Sequence, residues 1–521
     1  MMLNERVASG SLCCRGARLK SMATRLKPAV FVVAAATLLV AGCNDKEQTR
    51  VTPAERLPSP GPAQRFETRP DLKPPRIQVR TPARGTAPGY VFLGPKLAVH
   101  QAGPMIMDNH GEVVWFHPLE LTRGITDFRV QRYRGRPVLT WWRGRLRNRG
   151  VGDGWYVICD NHYHQIAEVR PGHGYAGDVH EFLLTKRDTA LIPIYHVRRV
   201  DLTPVGGPAQ GKVWDGIVQE IDIPTGRVLF EWHSYPQIGI KESYARPPER
   251  SRGMKALPYD YLHLNSIDVD TDGNLLISAR NTHAVYKVNR RTGKVMWRLG
   301  GKRSDFALGP GVRFAWQHDA RRQPDGTITV FDNGAAPPVE RFSRVLVIRV
   351  NVKKRTATLV RSYHHPDRLS SPFEGNAQFL PDGHVVVGWG GWPYVTEFAR
   401  NGRVLFDAYF GHGKPAGEDA DSYRAYRFVW HGYPTDRPAL AVKQRPAIAV
   451  LFASWNGATE VARWAVLAGS DPDALQRIGT WARRGFETPL TVQSDARYYA
   501  VEALAANGKP LGRSAAVEGK A

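Results

Sequence analysis

Long amphipathic helical patterns are nearly absent from this 521-residue chain, which leaves an all-β fold as the reading of its periodicity. Cysteine is scarce, with four in all: Cys13, Cys14, Cys43 and Cys159. An exported chain that keeps only Cys43 and Cys159 has no internal disulfide framework, so its core is held by packing. The longest apolar run, Ala29 to Val40, is too short to span a bilayer as a stable helix. Basic charge dominates, net +24, yet no block of like charge stands out. Charge alone would allow nucleic acid as a partner, but an exported chain seldom meets it, so anionic lipid headgroups or small anionic substrates are expected. The chain also has no convergent carboxylate pair and no serine in a nucleophile elbow, which argues against glycosidase and serine-hydrolase chemistry.

Glycine (50) and proline (38) are plentiful, as many short strands and turns require. The N-terminus carries an address. From Met22 a basic stretch with Arg25 and Lys27 leads into the apolar run and then Ala41-Gly42-Cys43. Residues 1–21 read as an upstream extension, and 1–43 as leader and lipoprotein signal, with Cys43 the lipidated residue. Residues 44–85, rich in Pro, Arg and Glu, read as a disordered tether. The expected location is exported and lipid-anchored, on the outer face of the cytoplasmic membrane or another extracytoplasmic surface.

One phrase recurs: GEVVWFHP at Gly111, HQIAEVRPG at His164, GRVLFEWHS at Gly226, GKVMWRLGG at Gly293, TATLVRSYHH at Thr356 and GRVLFDAYF at Gly402. The mean spacing is about 58 residues, within reach of four-stranded blades with extended loops. Six occurrences predict a six-bladed β-propeller over 86–435; a pair of stacked sandwiches explains the turns but not the recurrence. Residues 444–515, with Trp455, Trp464 and a late Asn507-Gly508 turn, read as a small C-terminal fibronectin type III-like β-sandwich.

A second phrase falls between the first: HEFLLTKRDTALIPIY from His180, HLNSIDVDTDGNLLISAR from His263, QHDARRQPDGTITVFDN from Gln317 and GNAQFLPDGHVVVGWG from Gly375. Each has a polar head, a strand, a tight turn and a second strand. The heads of inner propeller strands point into the channel mouth, so His180, His263, His318 and Asn376 are expected at one spot. Arg280 ends the hairpin that His263 begins and should return beside it. Histidines with a guanidinium suit group transfer from an anionic donor: one imidazole attacks, Arg and a second ring hold oxygens, and a third protonates the leaving oxygen. A metal-dependent enzyme, with Glu181 and Asp319 as further ligands, and a non-catalytic ligand-binding propeller remain open from the residues alone.

The stretches GPMIMDNHGEVVWF, VHEFLLT, DGIVQEIDIPTGRVLFEWHS, YLHLNSIDVDTDGNLLISARNTHAVYKVNRRTGKVMWRLGG, FAWQHDARRQPDG and GNAQFLPDGHVVVGWG resemble the PAPS-independent bacterial arylsulfotransferase family over about two-thirds of the chain. The resemblance implies a propeller that moves a sulfuryl group from an aryl sulfate to a phenol by a ping-pong route through a sulfohistidine. It implies His318 as nucleophile, His263 and Arg280 on the sulfuryl oxygens, and His180 in acid–base transfer; Asn265 and Asn376 are expected to bind substrate. It calls for no cofactor and no metal. Family members with an extra N-terminal β domain and a disulfide differ from this chain, which opens on a short tether and adds a C-terminal module.

Overall fold

The computed structural model describes residues 58–120, 124–147, 150–248, 257–335 and 339–519. The fold is nearly all-β, 48% strand and 2% helix. Six sheets follow one another, antiparallel except for a short parallel pairing of Ala307–Leu308 in the fifth. The second is Gly124–Tyr133, Arg136–Leu146, Gly152–Cys159 and Gln165–Val169; the third is Leu183–Leu184, Thr189–Val200, Gly211–Asp222 and Val228–His233. The fourth is Leu264–Val269, Leu275–Ala279, Ala284–Val288 and Val295–Gly300. His318–Arg322, Ile328–Asp332, Arg344–Asn351 and Thr356–Tyr363 make the fifth, and Asn376–Phe379, Val385–Gly388, Tyr394–Phe398 and Val404–Tyr409 the sixth. The first differs: Tyr90–Leu93, Met105–Met107 and Val113–Phe116 are completed by Ala425–Phe428, which returns from the far end of the sequence.

All six copies of the recurrent phrase are the fourth strands of their sheets, with Ala307–Leu308 pairing beyond the one in the fifth sheet and Gln78–Thr81 beyond the one in the sixth. The second phrase supplies the opposite, first strands. Its Asp-Gly turns place Gly273, Gly326 and Gly383 at φ 80°, 82° and 85°, which glycine adopts without a Cβ clash. In the third sheet Asp188 takes the same left-handed turn at φ 58°.

Apolar side chains fill every gap between neighbouring sheets. Leu191, Val218 and Trp232 of the third sheet pack with Leu264, Ile267 and Ile277 of the fourth. Val386, Val395 and Phe406 of the sixth pack with Val91, Leu93 and Phe116 of the first. The first strands also satisfy each other's backbone. Asn265 Nδ2 donates to the Gln317 carbonyl (2.7 Å), and the Ala320 N–H donates to Ser266 Oγ (3.0 Å). The Phe182 N–H donates to Asp127 Oδ2 (3.0 Å), and the Ala377 N–H to Asp319 Oδ2 (3.1 Å). Buried main-chain groups at the centre thus find partners across sheets as well as within them.

Beyond Phe428 two further sheets, Ala439–Arg445/Ile448–Ser454/Glu487–Gln493 and Gln476–Ala482/Arg463–Gly469/Tyr498–Leu504/Pro510–Arg513, enclose a core with Leu451, Trp464, Leu490 and Val501. Residues 58–85, expected within the tether, are instead built into the fold. Gln78–Thr81 adds to the edge of the sixth sheet, Leu72 is fully buried, and Thr68 hydrogen-bonds Glu487 of the C-terminal sheets. The stretch is polar enough to read as tether, but a few anchors (Phe66, Leu72, Ile77) fix it. Cys43, the signal and residues 44–57 lie outside the described residues.

Candidate active site

The loops and strand heads at one end of the inner strands bring the histidines together. The rings of His180 and His263 lie edge to face with centroids 4.8 Å apart, and Tyr423 stands 5.7 Å from His180 and 6.4 Å from His318. Tyr195 closes another side, 5.8 Å from His263 and 6.0 Å from His180. None of the three histidines is more than 3% exposed. Arg280 returns as the hairpin requires: its N–H donates to the His263 carbonyl (2.8 Å), and its guanidinium lies 4.3 Å from the Trp316 ring centre.

Backbone geometry at this spot is unusual. His263, Trp316 and Asp319 have φ of 54°, 55° and 52°. Such conformations cost on the order of 1–3 kcal/mol each and persist where the surroundings over-determine them. Bulges after His318 and Leu264 accompany them and re-aim the strand heads.

Each imidazole is held by Nδ1. His180 Nδ1 bonds Asp178, and His263 Nδ1 lies 2.5 Å from Asp260 Oδ2. His318 Nδ1 lies 2.7 Å from Asn333 Oδ1. Asn333 Nδ2 donates to the carbonyls of Ser371 and Glu374 (both 3.0 Å), so its Oδ1 is the acceptor and His318 Nδ1 carries the proton. The lone pair of His318 is therefore on Nε2. Burial pushes this imidazole well below its usual range; the Asn333 bond opposes that, and Arg280, His180 and His263 reinforce it. His318 is thus a neutral imidazole with a free nucleophilic nitrogen at neutral pH. His263 is pushed down to about 4 by burial and by Arg280, against the pull of Asp260. Burial also raises the Tyr195 and Tyr423 phenols well above 10, and both donate to backbone carbonyls, Leu264 (2.7 Å) and Asn265 (3.1 Å). They stand beside the imidazoles as neutral groups.

The residues following three pocket residues turn the other way, into a buried charge network. Glu181 bonds Arg129 (2.7 Å), Arg321 (2.6 Å) and Arg424 (3.1 Å), while Arg424 also bonds Asp127 (2.8 Å) and Arg321 bonds Asp319 (2.8 Å). Three carboxylates meet three guanidiniums, so the charge balances where solvent is excluded. Burial alone would raise the Glu181 carboxyl, but the three arginines hold it far below the ordinary carboxylate range. Further along the inner strands lies a cavity of about 380 Å³ lined by Arg129, Gln131, Arg321, Gln323 and Gln378. A larger one, about 1040 Å³ around Arg134, His162 and Glu168, contains none of the candidate residues.

The asparagines differ from the histidines. Asn376 occupies the equivalent strand head, but its amide is taken up by the Ala425 backbone, accepting from N–H at 2.8 Å and donating to C=O at 2.9 Å. Asn265 donates to Gln317, which leaves its buried Oδ1 turned away from any protein donor. Among the described residues no three His, Cys, Asp or Glu side chains are grouped to hold a metal ion. Reasoning from sequence missed Asp178, Asp260, Asn333, Tyr195, Trp316, Tyr423 and Arg424. The spacings Asp-x-His (178 to 180) and Asp-x-x-His (260 to 263) carried a usable signal for the first two.

A sequence model of the arylsulfotransferase (ASST) family matches residues 129–411, more than half of the chain, and the protein belongs to that family. All four charged or basic candidates, His180, His263, Arg280 and His318, lie inside the match. A search of curated proteins found no match. Among solved structures, a protein of unknown function from Bacteroides caccae is 11% identical, with 62% of this chain and 93% of that one covered at a TM-score of 0.38. A streptogramin B lyase is 9% identical over 65% and 88% of the two chains, with a TM-score of 0.34. A Lactobacillus plantarum protein is 12% identical over 77% and 99%, also at 0.34.

Proposed function

We propose that the protein is an aryl sulfotransferase that carries a sulfuryl group from an aryl sulfate to a phenol through a sulfohistidine at His318. The observation that carries this reading is the His318–Asn333 bond, which leaves an unprotonated Nε2 in a pocket with two further imidazoles and Arg280. Nε2 attacks sulfur, an N–S bond forms, the S–O(aryl) bond breaks, and the aryloxide leaves with a proton that His180 has first taken from solvent on its own Nε2. The acceptor phenol then loses its proton to His180, attacks sulfur and restores the imidazole. Arg280 supplies a planar fork for two sulfuryl oxygens throughout. Asn376, with its amide engaged by backbone, has no part in the scheme; Asn265 stands at its edge.

The six sheets are read as the blades of a six-bladed β-propeller, closed by the returning strand Ala425–Phe428, and the two C-terminal sheets as a fibronectin type III-like sandwich with a supporting role. The leader ending at Cys43 assigns the protein to an extracytoplasmic membrane surface through a lipid anchor, with small aryl sulfates and phenols as partners. Incubation with 4-nitrophenyl sulfate and a phenol tests the reading: chromophore release that disappears in His318→Ala is expected, and no release from the wild type rejects it.

A further inference from the structure

The three rings are held alike but not by like partners. Each donates Nδ1–H to a buried acceptor, so each offers its Nε2 lone pair to the pocket. Three lone pairs cannot hold the three oxygens of a sulfuryl group, which accept hydrogen bonds and do not donate them. One ring, the nucleophile, must keep its lone pair. Another must gain a proton when the anion arrives. The acceptors sort them: behind His318 stands a neutral amide, which cannot stabilise an imidazolium, whereas a carboxylate stands behind His180 and His263. Of the two carboxylates, Asp260 has the wider reach. The same Oδ2 that holds His263 lies 3.8 Å from Arg280 Nη2, so it sits behind two of the groups expected on the sulfuryl oxygens. His263 Nε2 is buried and bonded to no protein atom, a position that awaits a partner.

Resting on the sulfuryl-transfer reading, we propose that Asp260 is a positioning residue that lets His263 take a solvent proton on Nε2 as the aryl sulfate binds. The proton returns to solvent when the pocket empties. In the free protein the groups facing His263 are Asp260 on its own loop, Arg280 on the returning strand, His180 and Tyr195 from the third sheet, His318 from the fifth, and Tyr423 beyond His180. Burial and the Arg280 charge outweigh Asp260 there, and the ring stays neutral. A bound anion adds the missing negative charge, and binding and protonation become one event. Asp260 then supplies a fixed counter-charge without touching substrate.

The reaction is followed with 4-nitrophenyl sulfate across pH 5 to 9 in wild type, Asp260→Asn and Asp260→Glu, and proton uptake is measured on wild type with a phenylmethanesulfonate, whose S–C bond does not transfer. Calorimetry in buffers of different ionisation enthalpy reads the uptake. The expected results are uptake approaching one proton per sulfonate near neutral pH and a donor KM that rises with pH. In Asp260→Asn the KM at pH 7–8 should be raised roughly ten- to a thousandfold, the effect of removing one charge worth 1–3 pKa units on the ring, with kcat less affected. Asp260→Glu should recover part of the loss. Sulfonate bound with no proton uptake, no sulfonate binding at all, or a folded Asp260→Asn protein with the wild-type KM–pH profile overturns the inference. Uptake without any turnover of the aryl sulfate would instead sink the sulfuryl-transfer reading and leave the coupled protonation standing. The wild-type measurement needs no variant to fold.

Discussion

Replacing Asn333 by leucine removes the acceptor that fixes the His318 tautomer while keeping about the same volume. The Nδ1–H now points at hydrocarbon in a site only 1% exposed. A buried donor left without a partner costs about 1–3 kcal/mol, so the tautomer with Nδ1 protonated loses that much against its alternative. At about 1.4 kcal/mol per tenfold, the nucleophilic form falls roughly fivefold to more than a hundredfold. The two bonds from Nδ2 to Ser371 and Glu374 vanish as well, so some stability is lost too, and the melting temperature must be followed alongside. The assay is the burst of 4-nitrophenol released in the first turnover, which isolates attack by His318 from the acceptor step. Asn333→Asp sharpens the case. A carboxylate there would favour the imidazolium, moving the acid limb of the burst rate upward by about 1–3 pH units, so that activity returns on raising the pH. Folded Asn333→Leu protein with an undiminished burst would refute the tautomer argument, as would an Asn333→Asp limb that stays in place.

Two further perturbations test what burial does to charged groups. His263 is pushed down to about 4 from an ordinary 6.5, so the unfolded chain binds more protons between those values and stability falls as pH drops from 6.5 toward 4. Between pH 6.5 and 4.5 the loss integrates to about 2 kcal/mol, the full slope of about 1.4 kcal/mol per unit holding only midway between the two pKa values, and denaturant unfolding of His263→Gln should lack that component. The comparison with the variant cancels Asp332, whose carboxyl burial raises to about 6 and whose effect runs the other way. Equal acid sensitivity in both proteins would contradict this. Glu181→Gln leaves Arg129, Arg321 and Arg424 with only Asp127 and Asp319, an uncompensated positive charge in the interior. The expected destabilisation is about 3–5 kcal/mol, seen as a lowered urea midpoint, and an unchanged midpoint would remove the network from the account.

Much of the fold was legible because it repeats. The phrases at Gly111, Gly226 and Gly402 are fourth strands, and the Asp-Gly turns at 272, 325 and 382 join first strands to second. His180, His263 and His318 could be grouped from sequence since each heads the same repeat position. What position alone could not convey was how each side chain is used. Asn376 shares the register of His318, yet the neighbouring strand Ala425–Phe428 takes up its amide. That strand completes a sheet whose other members lie more than 300 residues earlier, so Tyr423 and Arg424 carried no local sign of standing at the centre. Asp178, Asp260 and Asn333 act through loops and hairpin ends, where chain spacing says little about direction. Residues 58–85 were misjudged for a related reason: single anchors such as Leu72, without periodicity, order a polar segment as firmly as a strand pattern does.

Mass spectrometry of the protein exposed to an aryl sulfate without acceptor, digested under conditions that spare acid-labile N–S bonds, addresses the central claim most directly. One added sulfuryl group is expected, located on His318 and discharged when a phenol is supplied. An adduct confined to another residue, or none on protein that turns the substrate over, would contradict it.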